Sequence, residues 1–318
     1  MKKLLLLAII LQSNVLLFAQ KTMKVEGKIT NTPAQLGEGA IWDYRTNELY
    51  WIDIEGKSLH KYNPESKSDI TMLLPKRPGT VVLTNDNNKC IVALEDSLCF
   101  VSIDKNNITP ISGPGFNGAP VRFNDGKCDP LGNLWIGTVD NKDYANPIAK
   151  LYRFDANKIF TVEKEGVVVS NGIAWSPDGK KMYYIDSPTR TVVAYDIDTK
   201  TGNKSNPKIV IKTPKNLGTP DGSTIDAEGM LWVAQWGGAC VTRWNPQTGE
   251  MIGKVEVPAK NVTSVAFGGK DLDILYITTA KIAMSPEDEK IFTEAGNTFF
   301  LKPGVKGIKA CIFNGIMK

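Results

Sequence analysis

The chain has almost no histidine. Among 318 residues there is one, His60. A Ser-His-Asp hydrolase or a histidine-rich zinc centre would have to use it, and no G-x-S-x-G nucleophile motif accompanies it. Its neighbours in "SLHKYNP" alternate as an exposed strand does, so no chemical role is assigned to it. Cysteine is scarce as well. Cys90, Cys99, Cys128, Cys240 and Cys311 form an odd set without a C-x-x-C pair, which gives no support to a zinc or redox motif. Buried reduced thiols are expected, with a Cys90–Cys99 bridge inside one hairpin as the alternative. An excess of one charge is also missing. Lys and Arg number 38 against 34 Asp and Glu, and no basic run or arm stands out, which argues against a nucleic-acid partner. Continuous helical periodicity is rare along the chain.

What the chain does have begins at its start. "MKK" is followed by "LLLLAIIL" and then "QSNVLLFAQ". A basic start, a short apolar stretch and the small residue Ala19 read as a secretory signal, cut near Ala19–Gln20. Gln12, Ser13 and Asn14 interrupt the apolar run and keep it short of the ~18 residues a membrane span needs. No cysteine near the cut suggests a lipid anchor. The expectation is a signal peptide over residues 1–19, a mature chain over 20–318, and a periplasmic or secreted protein with no membrane attachment after cleavage.

The mature chain repeats. Six short runs look alike: "TNELYWID", "NNKCIVAL", "LGNLWIGT", "DGKKMYYID", "AEGMLWVA" and "LDILYITT". Each is a turn followed by an apolar or aromatic strand, and they recur about every 40 to 50 residues. Before them lie strands such as "EGAIWD" and "DGSTID", and after them strands such as "SLHKYNP" and "CVTRWNP". A more polar fourth strand often follows, as in "DITMLLP". Four antiparallel strands per unit and six units predict an all-β protein, a six-bladed β-propeller around a central channel and a single domain. Which chain end completes the last blade stays open.

Two copies of Pro-Asp-Gly show how the repeats differ. Such a triplet is ordinary turn chemistry. Counted against the turns, however, Asp178 of "SPDG" sits in the turn between first and second strands, whereas Asp221 of "TPDG" lies eight residues before its own turn glycine, Gly229. Asn171 lies eight before Gly179, and Asn124 eight before Gly132. Glu38 lies five before Asp43, as Asn124 does before Asp129 and Asp221 before Asp226. Gly79 and Thr263 hold this register in the other two units. Innermost strands line a propeller's channel, so Glu38, Asn124, Asn171 and Asp221 are expected to converge near its axis. Two carboxylates and two amides suit a hard cation such as Ca²⁺, Mg²⁺ or Mn²⁺ better than a dedicated zinc site. A bound cation can polarise a carbonyl, and a carboxylate beside it can deprotonate a water. No protein nucleophile is then needed for an activated ester such as a sugar lactone. Arg122 precedes Asn124 by two residues and shares its side-chain direction on a strand, which aims it at the channel mouth.

The segments "LGEGAIWD", "RFNDGKCDPLGNLWIGT", "SNGIAWSPDGKKMYYID", "PDGSTIDAEGMLWVAQWGG" and "TSVAFGGKDLDILYITTA" together resemble the senescence-marker-protein (regucalcin)/gluconolactonase-like family. The resemblance runs from about Leu36 to Gly307. It implies a six-bladed propeller with one divalent cation in the channel (Ca, Mg, Mn or Zn) and hydrolysis of a small-molecule sugar lactone to its aldonic acid. It further implies that Glu38, Asn171 and Asp221 hold the metal, that Asp221 is also the general base, and that Arg122 and Asn124 face the substrate. The chain departs from the family at Ala40, where "GEGP" is common, and after "GT", where some members carry an acidic substrate contact. Here Lys142 stands near that place, with Asp140 and Asp143 as substitutes. Competing readings are a non-catalytic propeller binding calcium or another ligand, and an esterase acting on aryl esters or organophosphates. An open, apolar mouth would favour the esterase; a polar mouth with Arg122 exposed would favour sugar lactones. A monomer or small homo-oligomer is expected.

Overall fold

In the computed structural model, residues 21–29, 33–116 and 118–315 are described. The expected signal segment lies outside them. Six antiparallel sheets are arranged in a ring, and each starts at the axis with an inner strand: Gly37–Asp43, Pro78–Leu83, Val121–Cys128, Ser170–Trp175, Thr219–Ile225 and Asn261–Gly268. Each inner strand packs on the next, and the sixth packs on the first. This is the expected six-bladed propeller. Among the described residues no helix is long and apolar enough to cross a membrane.

The six look-alike runs are the second strands of the blades. They are almost wholly buried because each is covered on both faces by neighbouring blades. Trp51, Trp135 and Trp232 on these strands are fully buried. Fourth strands such as Ser68–Leu73 are mostly exposed, which explains their polarity. The turn after the inner strand is tied by a recurring carboxylate. Asp129 accepts from the Leu131 and Asn133 amides at 2.9 Å each and from Trp135 Nε1 at 2.8 Å. Asp226 repeats the arrangement with Glu228, Met230 and Trp232. A buried acid thus holds each of these turns and the aromatic of the following strand together.

The N-terminal segment closes the ring. Gly27–Lys28 is the outermost strand of blade six, antiparallel to Phe299–Leu301. Lys21–Lys24 adds a fifth strand, parallel to Glu250–Glu256, to blade five. The C-terminal segment joins neither sheet as a blade strand. It crosses the underside, where inner strands end in their turns. Gly307 bridges Asp226, and Phe313 bridges Thr84. The Phe313 amide donates to Leu83 O and the Asn314 amide to Gly132 O. Val305, Ile308, Ile312 and Phe313 each pack into a different hydrophobic cluster of the ring.

Two local expectations change or settle here. His60 is buried rather than exposed. It stacks on Trp51 with ring centroids 3.7 Å apart, and its ring nitrogens meet Ser58, Asp69 and Thr71. All five cysteines are free, including Cys90 and Cys99; Cys311 is half-buried and the others are buried.

Candidate active site

Every inner strand breaks its ladder at the same place. The register slips between Glu38 and Ile41, Pro78 and Thr80, Phe123 and Gly126, Asn171 and Ile173, Pro220 and Ser223, and Val262 and Ser264. These are β-bulges, which kink a strand and re-aim its side chains. The six positions aligned by counting fall at or beside these bulges. Four of them, Glu38, Asn124, Asn171 and Asp221, line one cavity of about 360 Å³ at the upper end of the channel. Gly79 and Thr263 do not line it. At Gly79 a Cβ would stand 2.5 Å from Phe123 O, so this blade can offer no side chain there. Thr263 is fully buried and its Oγ1 donates to Gly37 O at 2.5 Å, which uses it as a joint between blades six and one.

A hydrogen-bonded chain links three of the predicted residues. Arg122 Nη1 donates to Asn124 Oδ1 at 3.0 Å. Asn124 Nδ2 donates to Asn171 Oδ1 at 2.9 Å, and Asn171 Nδ2 donates to Ser187 Oγ at 2.9 Å. The arginine's alternation with Asn124 therefore does bring both to one side. Asn124 also donates to Ser170 O at 2.9 Å, so its amide is held from both blades three and four. Arg122 is only 2% exposed and its Nε has no hydrogen-bond partner. The guanidinium's remaining contacts are Phe123 O at 2.9 Å and the Tyr144 hydroxyl at 3.4 Å. It is a buried cation whose hydrogen bonds go to neutral oxygens.

Glu38 and Asp221 face each other's charge in the same cavity. Burial pushes the Glu38 carboxyl up to about 8, with a further rise from Asp125 and small opposing effects of the Gly39 amide and Arg122. Burial likewise lifts Asp221 well above the usual carboxylate range, and the charges of Glu38 and Asp125 add to it. Asp221 Oδ1 is buried without a hydrogen-bond partner. An orphaned carboxylate oxygen, a second carboxylate and an amide oxygen are a donor set that a hard cation completes. The residues present fit a divalent cation. Only two of the three are acids, and among the described residues no group of three His, Cys, Asp or Glu suited to a metal occurs.

The structure adds residues that counting did not find. Asp125 follows Asn124 in the bulge and lines the narrow channel beneath, with its carboxyl raised mainly by burial. Lys127 lies there too. Its Nζ donates to Ser223 O at 2.6 Å, bridging blade three to blade five, and burial lowers its pKa while Asp125 opposes the shift. In an ideal strand Asn124 and Asp125 would face opposite ways, so no alternation pattern reveals them as neighbours on the axis. The loop after "GT" differs from expectation as well. Asp140 and Asp143 do not line the cavity. They brace their own loop, Asp140 by accepting from the Lys142 amide and Asn146, Asp143 from the Ala145 amide and Asn146. Lys142 does not line the cavity either. The loop's contribution is Tyr144, at a left-handed φ of 56° and with its ring 5.8 Å from the Arg122 guanidinium. Asp178 is an exposed turn residue, accepting from Ser176 Oγ and the Lys180 amide.

Comparison with known proteins places these features in context. The family model described as SMP-30/Gluconolactonase/LRE-like region matches residues 36–281. Regucalcin of Danio rerio is 37% identical over 284 residues, covering 88% of this chain and 95% of its own. Pentonolactonase XacC of Haloferax volcanii is 34% identical over 261 residues, covering 80% and 84%. A solved structure described as a calcium-binding protein, regucalcin, from Agrobacterium tumefaciens superposes with a TM-score of 0.87 at 28% identity, over 93% of this chain and 99% of that one. The match spans most of the propeller, including all four convergent residues, and the chain belongs to the SMP-30/gluconolactonase/LRE-like family.

Proposed function

We propose that the protein is a divalent-cation-dependent hydrolase that opens sugar lactones to hydroxy acids. The observation that carries this reading is the orphaned Asp221 oxygen, buried in one cavity with Glu38 and with Asn171, which is itself hydrogen-bonded to the Arg122–Asn124 pair. Family membership and a relative named as a pentonolactonase support the substrate class. Relatives named regucalcin, one described as calcium-binding, support the cation.

Glu38, Asn171 and Asp221 would hold the cation. When bound, it supplies Lewis acidity toward the lactone carbonyl oxygen and toward a water. Asn124 fixes the orientation of Asn171 and, through its own carbonyl, that of Arg122. The Arg122 guanidinium lines the cavity and would bind an oxygen that gains negative charge. Asp221 accepts the proton of the attacking water as its oxygen adds to the carbonyl carbon. It returns that proton to the ring oxygen as the ring C–O bond breaks, which yields one hydroxyl and one carboxyl.

We further propose a periplasmic or secreted location, which the basic start, short apolar stretch and Ala19 of residues 1–19 support. The mouth is neither open and apolar throughout nor polar with an exposed arginine. Arg122 lies buried in its wall, and Leu36, Ile54, Trp236 and Ile282 line it together with the polar residues.

The test is hydrolysis of an aldonolactone panel after chelation and add-back of Ca²⁺, Mg²⁺, Mn²⁺ or Zn²⁺. Asp221→Asn is expected to lower kcat by about 10²–10⁴-fold with cation present, the range of a lost general base. Full metal-dependent activity in that variant would remove the base role. A purely ligand-binding propeller would show cation binding with no lactone turnover.

A further inference from the structure

The connection between second and third strands repeats one backbone feature around the ring. Lys57, Tyr144, Arg190, Ala239 and Ala283 each hold a left-handed φ there, in blades one, three, four, five and six. Of these five, only Tyr144 and Ala283 line the active-site cavity, and only Tyr144 brings a polar group to it. Its loop is tied down on both sides. Asn146 Nδ2 donates to Asp140 at 2.8 Å and to Asp143 at 3.0 Å, which closes the segment that presents the ring. The ring lies 5.8 Å from the Arg122 guanidinium, and its hydroxyl accepts from Arg122 Nη2 at 3.4 Å. A phenol both accepts and donates. Among the described residues no acceptor takes the Tyr144 hydrogen. The hydroxyl also stands at the outer end of a hydrogen-bonded chain, which runs inward through Arg122 and Asn124 to Asn171.

We propose that Tyr144 is a specificity-determining residue whose phenol donates a hydrogen bond to a sugar hydroxyl remote from the lactone carbonyl. This deepens the lactone-hydrolase reading of the same site and rests on it. With the carbonyl toward Asn171 and Asp221, the far side of the ring comes to the blade-three loop. The cavity of about 360 Å³ is at the small end of ligand pockets, so a six-membered ring that reaches the cation ligands also reaches the walls. The bond from Arg122 draws charge from the phenol oxygen and makes its hydrogen a better donor. Tyr144 is 42% exposed, so on binding it trades a water for the sugar hydroxyl, and the gain is that of one exchanged hydrogen bond. The contact lies away from the reacting carbon and is the same before and during ring opening. It therefore lowers KM and leaves kcat nearly unchanged. A lactone without that hydroxyl gains nothing from it.

The experiment compares the cation-loaded protein with its Tyr144→Phe variant, which keeps the ring and removes the hydroxyl. The substrates are glucono-δ-lactone and its monodeoxy analogues, each lacking one hydroxyl, with initial rates corrected for spontaneous hydrolysis. The variant is expected to raise KM for gluconolactone about threefold to tenfold, with kcat within about twofold. That penalty should vanish for the analogue lacking the contacted hydroxyl and persist for the others. Cation affinity, measured by calorimetry, should not change. A penalty of equal size on every analogue, or none on any, overturns the proposal and leaves the lactone-hydrolase reading standing. Weakened cation binding in the variant also overturns it, since Tyr144 would then act as a brace on Arg122. No turnover of any lactone by the parent protein with any cation overturns both readings.

Discussion

A carboxylate oxygen that is buried and has no hydrogen-bond partner is poorly tolerated as an anion unless a cation stands beside it. Asp221 is in that position, and Glu38 shares its cavity. In chelated protein both acids hold their protons well above the range of an unfolded chain, Glu38 to about 8 against 4.5. A neutral acid favoured by the fold contributes stability that is full below about pH 4.5 and is lost as pH rises through about 8. Thermal melts of chelated protein should therefore fall from pH 5 to pH 8, and added cation should restore the loss, most at pH 8. Equal gains from cation at every pH would show that the two carboxyls are not its ligands. The difference between Asp221 and Asp178 was readable from spacing to the turn glycine alone. Asp125 and Tyr144 were not: one depends on a bulge that sends successive residues to two levels of the channel, the other on how a loop folds back.

At the scale of the element, the inner strand is a ladder interrupted once. Regular alternation would send every second side chain to the axis; the bulge lets one residue leave the sheet and point along the channel mouth. Blade four shows what the interruption demands. Gly172 has a φ of 32°, and a Cβ there would lie 2.3 Å from Ile185 Cδ1 and 2.7 Å from Asp221 O. Gly172→Ala would push the Asn171 bulge against the strand that carries Asp221. The expected result is a stability loss of about 1–3 kcal/mol together with weaker cation binding, seen by denaturant titration and calorimetry. Lost stability with unchanged cation affinity would mean that the bulge does not set the Asn171–Asp221 spacing. The strands themselves were legible because each second strand carries a run of apolar or aromatic residues after a turn. The bulges were not, because a one-residue slip leaves the hydrophobic pattern on either side intact. His60 was misjudged for a related reason: blade packing buries the third strand of blade one on both faces, so alternation there does not mean exposure.

At the scale of the molecule, the repeat period announced a ring but not how it is sealed. The period counts strands in sequence, whereas closure takes a two-residue strand from the N-terminus that carries no repeat signal. The underside was equally silent in the sequence. There Lys127 spans from blade three to blade five, and the C-terminal segment lies below it, with Ile308 and Cys311 beside Lys127 in a cavity of only about 70 Å³. The axis is thus a cul-de-sac rather than a tunnel. Whatever reaches Asp221 must come and go by one doorway, so incoming lactone and outgoing hydroxy acid contend for the same passage. Added hydroxy acid should then raise KM without lowering kcat in initial-rate measurements, a purely competitive pattern. A fall in kcat would show that hydroxy acid binds beside the lactone rather than in its place. One-way traffic is what an open ring would have allowed; threading its own tail beneath the ring makes departure part of the rate at which the next molecule can enter.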